Sequence, residues 1–187
     1  GKDSLRANTT ADNNTAVGLC ALKANTTAPD NVAVGFEAML TNTTGCRNVA
    51  VGKRALKLNT EGCDNVAIGL NTLGANTTGD FNTGIGFASL KANTTADNNS
   101  ALGYCTLSAN TTGSFNTGIG LCSIYTNTTG GCNTALGNDS LRANTTGSEN
   151  TTVGSASMLL NTTGASNAAM GRSALRNNTT GANNVAV

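Results

Sequence analysis

The chain has 187 residues, of which 38% are hydrophobic, 3% aromatic and 11% charged, with no Trp, no His and a formal net charge of +1. Alanine supplies much of the hydrophobic content, so a conventional globule would lack the large side chains that offset its ordering entropy. Near-neutral charge argues against an electrostatic grip on nucleic acid, and the lack of His removes the commonest general base and metal ligand. No apolar stretch approaches the length of a membrane span.

Internal repetition decides the fold class. Asn14, Asn31, Asn48, Asn65, Asn82, Asn99, Asn116, Asn133, Asn150, Asn167 and Asn184 follow one another at intervals of 17 residues, and 11 such units account for all 187. Numbered from its glycine, each unit reads in chain order as follows. Position 1 is Gly in every repeat, a corner needing positive φ or close approach. Position 2 holds Leu19, Phe36, Leu70, Phe87, Tyr104 and Leu121, an apolar stripe that marks a candidate interface if it faces outward. Position 4 is small, position 5 is always Leu, Ile or Met, and position 6 has several cations and no acid.

Position 8 is invariant: Asn8, Asn25, Asn42, Asn59, Asn76, Asn93, Asn110, Asn127, Asn144, Asn161 and Asn178. Thr follows at 9 in every repeat and at 10 in all but one, where Glu61 stands. Position 11 is Gly or Ala, a second expected corner, and the acids cluster at 12 and 13. Position 14 is the second invariant Asn column. Runs such as Asn48-Val49-Ala50-Val51 then read as a short strand, with 15, 17 and 5 expected to fill a thin core and small residues at 4 and 16 letting walls approach.

A unit this short cannot bury its own apolar face, but a stack of units can. The sequence therefore predicts an all-β parallel β-solenoid over residues 1–187, with one coil per repeat and like residues stacked about 4.8 Å apart. Both Asn columns then become side-chain ladders bonded to corner backbone.

That register makes the cysteines informative. Cys46 and Cys63 share position 12 of successive repeats, and Cys105 and Cys122 share position 3, which predicts two disulfides between neighbouring coils and an oxidising, extracellular setting. Cys20 and Cys132 have no such partner. Ten position-8 asparagines head sequons, but Asn59 has lost its sequon and kept its place, so a structural ladder explains the column better. Asn13, Asn98, Asn138 and Asn177 head sequons at variable positions and are the candidate glycosylation sites. Stacked Thr columns suggest an ice-binding face, although no fixed Thr-x-Thr pair exists. No arrangement suggests catalysis, a metal or a cofactor.

The runs NTAVG, NVAVG, NVAIG and NTGIG, each followed by a small-Leu pair and a Gly turn, resemble the head repeats of trimeric autotransporter adhesins (YadA-like heads) and related tail-fibre repeats. The resemblance implies a left-handed β-roll, commonly trimeric and displayed outside the cell, with Val34, Val51, Ile68 and Ile85 in the core of the roll and the following Gly as its turn. The reading is thus a structural or adhesive extracellular fibre at a cell or virion surface. Its expected partners are further copies of itself, end to end or side by side, and a host-surface or glycan ligand, with no nucleic acid. The chain starts and stops at one repeat phase, as expected of a segment from a longer array with open ends. The rival is a soluble ice- or glycan-binding solenoid.

Overall fold

The computed structural model describes all residues, 1–187. It is a β-solenoid whose eleven strands form one parallel sheet in sequence order. They are β1 (Thr15–Val17), β2 (Val32–Val34), β3 (Val49–Val51), β4 (Val66–Ile68), β5 (Thr83–Ile85), β6 (Ser100–Leu102), β7 (Thr117–Ile119), β8 (Thr134–Leu136), β9 (Thr151–Val153), β10 (Ala168–Met170) and β11 (Val185–Ala186). Each strand pairs with the next at an offset of one repeat: Ala33 lies beside Ala50, and Ala50 beside Ala67.

The ladder does not stop at the strands. Of 116 backbone hydrogen bonds only 20 lie within them, so most of the backbone cohesion runs through the turns and corners. Between coils 3 and 4, for example, Met39 N donates to Ala55 O (3.0 Å), Thr43 N to Thr60 O (3.0 Å) and Asp64 N to Cys46 O (3.0 Å). Each coil is fastened to its neighbours around nearly its whole circumference.

Both Asn columns are ladders. At position 8, each Nδ2 from Asn25 onward donates to Oδ1 of the Asn one coil before, as Asn59 does to Asn42 and Asn76 does to Asn59 (both 2.8 Å). At position 14, Oδ1 accepts from the backbone N–H of the next coil's Asn, as Asn48 does from Asn65 (2.9 Å). The columns converge on the position-11 carbonyl: Gly62 O accepts from Asn59 (2.9 Å) and from Asn48 (2.8 Å). No buried side-chain N or O lacks a partner, which is how so thin an interior holds so many buried amides.

The core differs from the expected one. Position 5 is inside, with Leu22, Met39, Leu56, Leu73, Leu90, Leu107, Ile124, Leu141 and Met158 fully buried. Positions 15 and 17 point outward instead: Val34 and Ile85 are only half-buried, and Val51 and Ile68 are exposed. Of the three strand residues the middle one, position 16, faces inward, where it meets the small residue at position 4 of the opposite wall. The gap between walls admits Ala, Gly or one Thr, so the bulky aliphatics take the outer face.

The two inner columns share that gap. In coil 5 a methyl on Gly84 would lie 2.6 Å from Thr72 Cγ2, and in coil 7 one on Gly118 would lie 2.6 Å from Thr106 Cγ2. Where position 16 is Thr152, position 4 is Ser140 and the two hydroxyls bond at 2.6 Å. Gly84→Ala is accordingly expected to cost about 1–3 kcal/mol by overpacking. In a Thr72→Ser background the same change should cost little or stabilise, since glycine is a poor strand residue. A double-mutant cycle by chemical denaturation measures this, and additive costs would contradict it.

Three residues per coil adopt left-handed backbone conformations without being glycine: positions 3, 5 and 13, for example Arg54 (φ 59°), Leu56 (φ 48°) and Asp64 (φ 58°). Such a conformation costs roughly 1–2 kcal/mol for an L-residue. At position 5 full burial of Leu returns about 1.5–3 kcal/mol, enough to hold it there. Position 1 is left-handed as expected (Gly52, φ 135°). Position 11 is not; its small residue instead makes room for the Asn amides.

Candidate interaction surface

With positions 15 and 17 outward, the face of the sheet carries an apolar column at position 17. Ile68, Leu102, Ile119 and Met170 at position 17 are exposed. Across the Gly corner, Leu19, Phe36, Leu70, Phe87, Tyr104 and Leu121 at position 2 are exposed as well, from 36% for Phe36 to 52% for Tyr104. Phe87 and Tyr104 stack with ring centroids 5.0 Å apart, as adjacent coils require, and Lys53 lies over the Phe36 ring at 5.7 Å. Position 15 borders the position-17 column with Val32, Val49 and Val66 in coils 2 to 4 and with Thr or Ser from coil 5 to coil 9. The apolar column at position 17 runs the length of the sheet, roughly 50 Å from the coil spacing, and the position-2 stripe flanks it from coil 2 to coil 8, interrupted by Lys53.

The cysteine pairs differ from each other. Cys46 and Cys63 have their sulfurs 2.8 Å apart, and Cys46 N–H donates to Cys63 Sγ at 3.0 Å. Burial and the neighbouring Cys46 thiol push the Cys63 thiol up to about 11. Beside them Arg47 grips Asp64 through two bonds of 2.8 Å, which holds that carboxyl below its ordinary range. Cys105 and Cys122 stand in successive coils, with Cys122 N bonded to Tyr104 O (2.9 Å), and no hydrogen bond joins their thiols. Burial also raises the Cys122 thiol. All six cysteines, including Cys20 and the exposed Cys132, are free thiols in this structure.

The sequons separate by exposure. At position 8 from Asn25 to Asn161 the amide is fully buried, and its Nδ2 is spent on the ladder and the position-11 carbonyl. Asn13, Asn98, Asn138 and Asn177 are exposed. The Thr columns separate too. Position-9 hydroxyls donate to the next coil, as Thr43 does to Thr60 O (3.0 Å), while position-10 threonines are exposed and form a single row. These residues lie in turns rather than in a strand.

The two charged edges are also unlike. Acids at position 12 serve the corner backbone: Asp80 accepts from Cys63 N (2.6 Å), and Asp97 from Asp80 N (2.7 Å). On the basic edge Lys23, Lys91 and Arg176 have no ion pair. Two features give no sequence signal beyond their column. Phe81 and Phe115, at position 13, are 58% and 60% exposed in left-handed conformations that bulky residues avoid, and nothing in the structure explains them.

Comparison with protein-family models, with curated proteins and with solved structures gave no match.

Proposed function

We propose that this chain is the rod of an extracellular structural or adhesive fibre that assembles by side-by-side packing of solenoids and performs no catalysis. The observation supporting it is the apolar sheet face. Position 17 is apolar in every coil and position 2 adds a large apolar side chain in six of coils 2 to 8, an exposed stripe of the kind that marks an association surface. The resemblance to trimeric adhesin heads suggests three rods sharing that face.

The test is the state of association. The chain is expected to sediment as an oligomer at micromolar concentration. Ile68→Lys combined with Ile119→Lys, both already exposed, should weaken association by at least about 100-fold and leave the circular dichroism unchanged. A wild-type chain that stays monomeric at high concentration would refute the reading.

The outer setting draws support from the in-register thiols. Protein purified without reductant from an oxidising compartment is expected to show Cys46 joined to Cys63, a loss of about 2 Da that alkylation and mass mapping detect. Alkylation of both thiols in such material would count against that bond. The rival ice-binding reading draws on the exposed position-10 row and on the outward Thr83, Thr117, Thr134 and Thr151 of position 15; the second row is broken by Ser100 and gives way to Val in coils 2 to 4, where a two-dimensional lattice match needs regular rows.

A further inference from the structure

Position 6 supplies Arg6, Lys23, Lys57, Lys91, Arg142 and Arg176 and no acid, so one edge of the rod carries a cation in six of its eleven coils. The three surface hollows of the molecule all open on this edge, and each is lined by at least one of those cations. The middle hollow, of about 300 Å³, is the most completely furnished.

Among its lining residues is Gly74, the only glycine in the column. Gly74 is not in a left-handed conformation, and a methyl built on it would come no closer than 3.2 Å to another atom, the carbonyl O of Asn71. The backbone therefore does not demand glycine here. Its effect is to leave a gap between Lys57 one coil below and Lys91 one coil above, about 9.6 Å apart along the stack. Arg54 and Lys57 both bond the same oxygen of Glu37 at 3.0 Å, so one carboxylate steadies two cations, and Lys91 has no acid. The Asn71 side chain makes no hydrogen bond within the molecule and lines the same hollow, with Leu58 as an apolar wall.

We infer that this hollow binds an acidic group, sulfate or carboxylate, on the sugar ring of an extended polysaccharide. Lysine ammonium and guanidinium groups meet the anion, the Asn71 amide is free to donate, and the apolar wall takes the C–H face of the ring. Cations recurring along the same edge offer further contacts to a repeating, similarly charged chain. Nucleic acid is the poorer fit, because the chain's net charge is only +1 and no aromatic ring lines the hollow for a base to stack on. The inference shares with the fibre reading only its extracellular setting. A rod that binds an acidic polymer yet remains monomeric would separate the two.

The experiment is titration of the full chain at 0.15 M salt with heparin (sulfated), polygalacturonate (carboxylated), neutral dextran and oligo-dT. Saturable binding to heparin or polygalacturonate, weakening with salt and absent for dextran, is expected; whichever polymer binds identifies the anion. Gly74→Leu narrows the hollow between Lys57 and Lys91 without changing charge, in a column that already accepts Leu40 and Leu159, and should weaken binding about fivefold or more. Lys91→Gln should do likewise, and Glu37→Gln should strengthen binding about threefold by releasing two cations. No saturable binding to either acidic polymer overturns the inference, as does unchanged affinity in Gly74→Leu and Lys91→Gln, or equal affinity for oligo-dT.

Discussion

Replacing Gly52 by alanine is expected to destabilise the rod by about 3–5 kcal/mol, with loss of amide protection spreading from coils 3 to 5. Two separate effects add. The residue has a φ of 135°, a conformation that side-chain-bearing residues avoid. The new methyl would also sit 2.5 Å from Gly69 O and 2.7 Å from Gly69 C, backbone atoms of the next coil that move only if the coils part. Gly171 provides the internal control. Its φ is 109°, but nothing lies within 4 Å of a methyl there, so Gly171→Ala should show the dihedral cost alone, about 1–2 kcal/mol. Equal losses at the two sites, read by thermal and chemical denaturation, would mean that coil-to-coil contact at the corner is unimportant.

Asn65→Ala is expected to cost about 3 kcal/mol or more. Nδ2 of Asn65 donates to Asn48 Oδ1 (3.1 Å), Cys63 O (3.0 Å) and Gly79 O (2.8 Å), and its Oδ1 accepts from Asn82 N (2.9 Å) and Nδ2 (3.2 Å). Some partners retain a second bond; Gly79 O still accepts from Asn76 at 2.9 Å. The buried backbone N–H of Asn82 has no other acceptor, and stranding it accounts for much of the loss. Asn184, in the last coil of the chain, accepts from no following residue, so Asn184→Ala should cost only about 1 kcal/mol. A flat response along the column, measured by denaturant titration, would refute the ladder as a source of cohesion.

Period and register were legible from the sequence, because an unbroken spacing of identical residues has no other economical fold. The ladders followed from it: Asn59 keeps its place beside Glu61 although the sequon is lost, and its amide is indeed buried and bonded to both neighbours. Which side of the strand faces inward was not legible. Val51 and Ile68 outrank Ala50 and Ala67 in hydrophobicity, so the bulkier columns suggested the core. The spacing between walls, which the opposite turn sets, decides otherwise. That turn depends on left-handed residues at positions 3 and 5; Leu, Ile and Met at position 5 carry no hint of such a backbone, and at position 3 only Asp3, Asn71 and Asp139 do. Position 13 does give one, with Asn or Asp in five coils (Asn13, Asp30, Asp64, Asn98 and Asn183). The hollow was half-visible, as a lone glycine in a column of long side chains, but its neighbours belong to other coils and meet only in three dimensions.

Because every residue is bonded chiefly to its counterparts one unit earlier and later, the architecture has no privileged seam. Excising seventeen consecutive residues, wherever the cut begins, rejoins chemically equivalent points and shortens the object by one rung; inserting seventeen lengthens it by one. Reach is thereby uncoupled from folding: a gene that gains or loses such a block changes how far the molecule extends without having to invent a new interior.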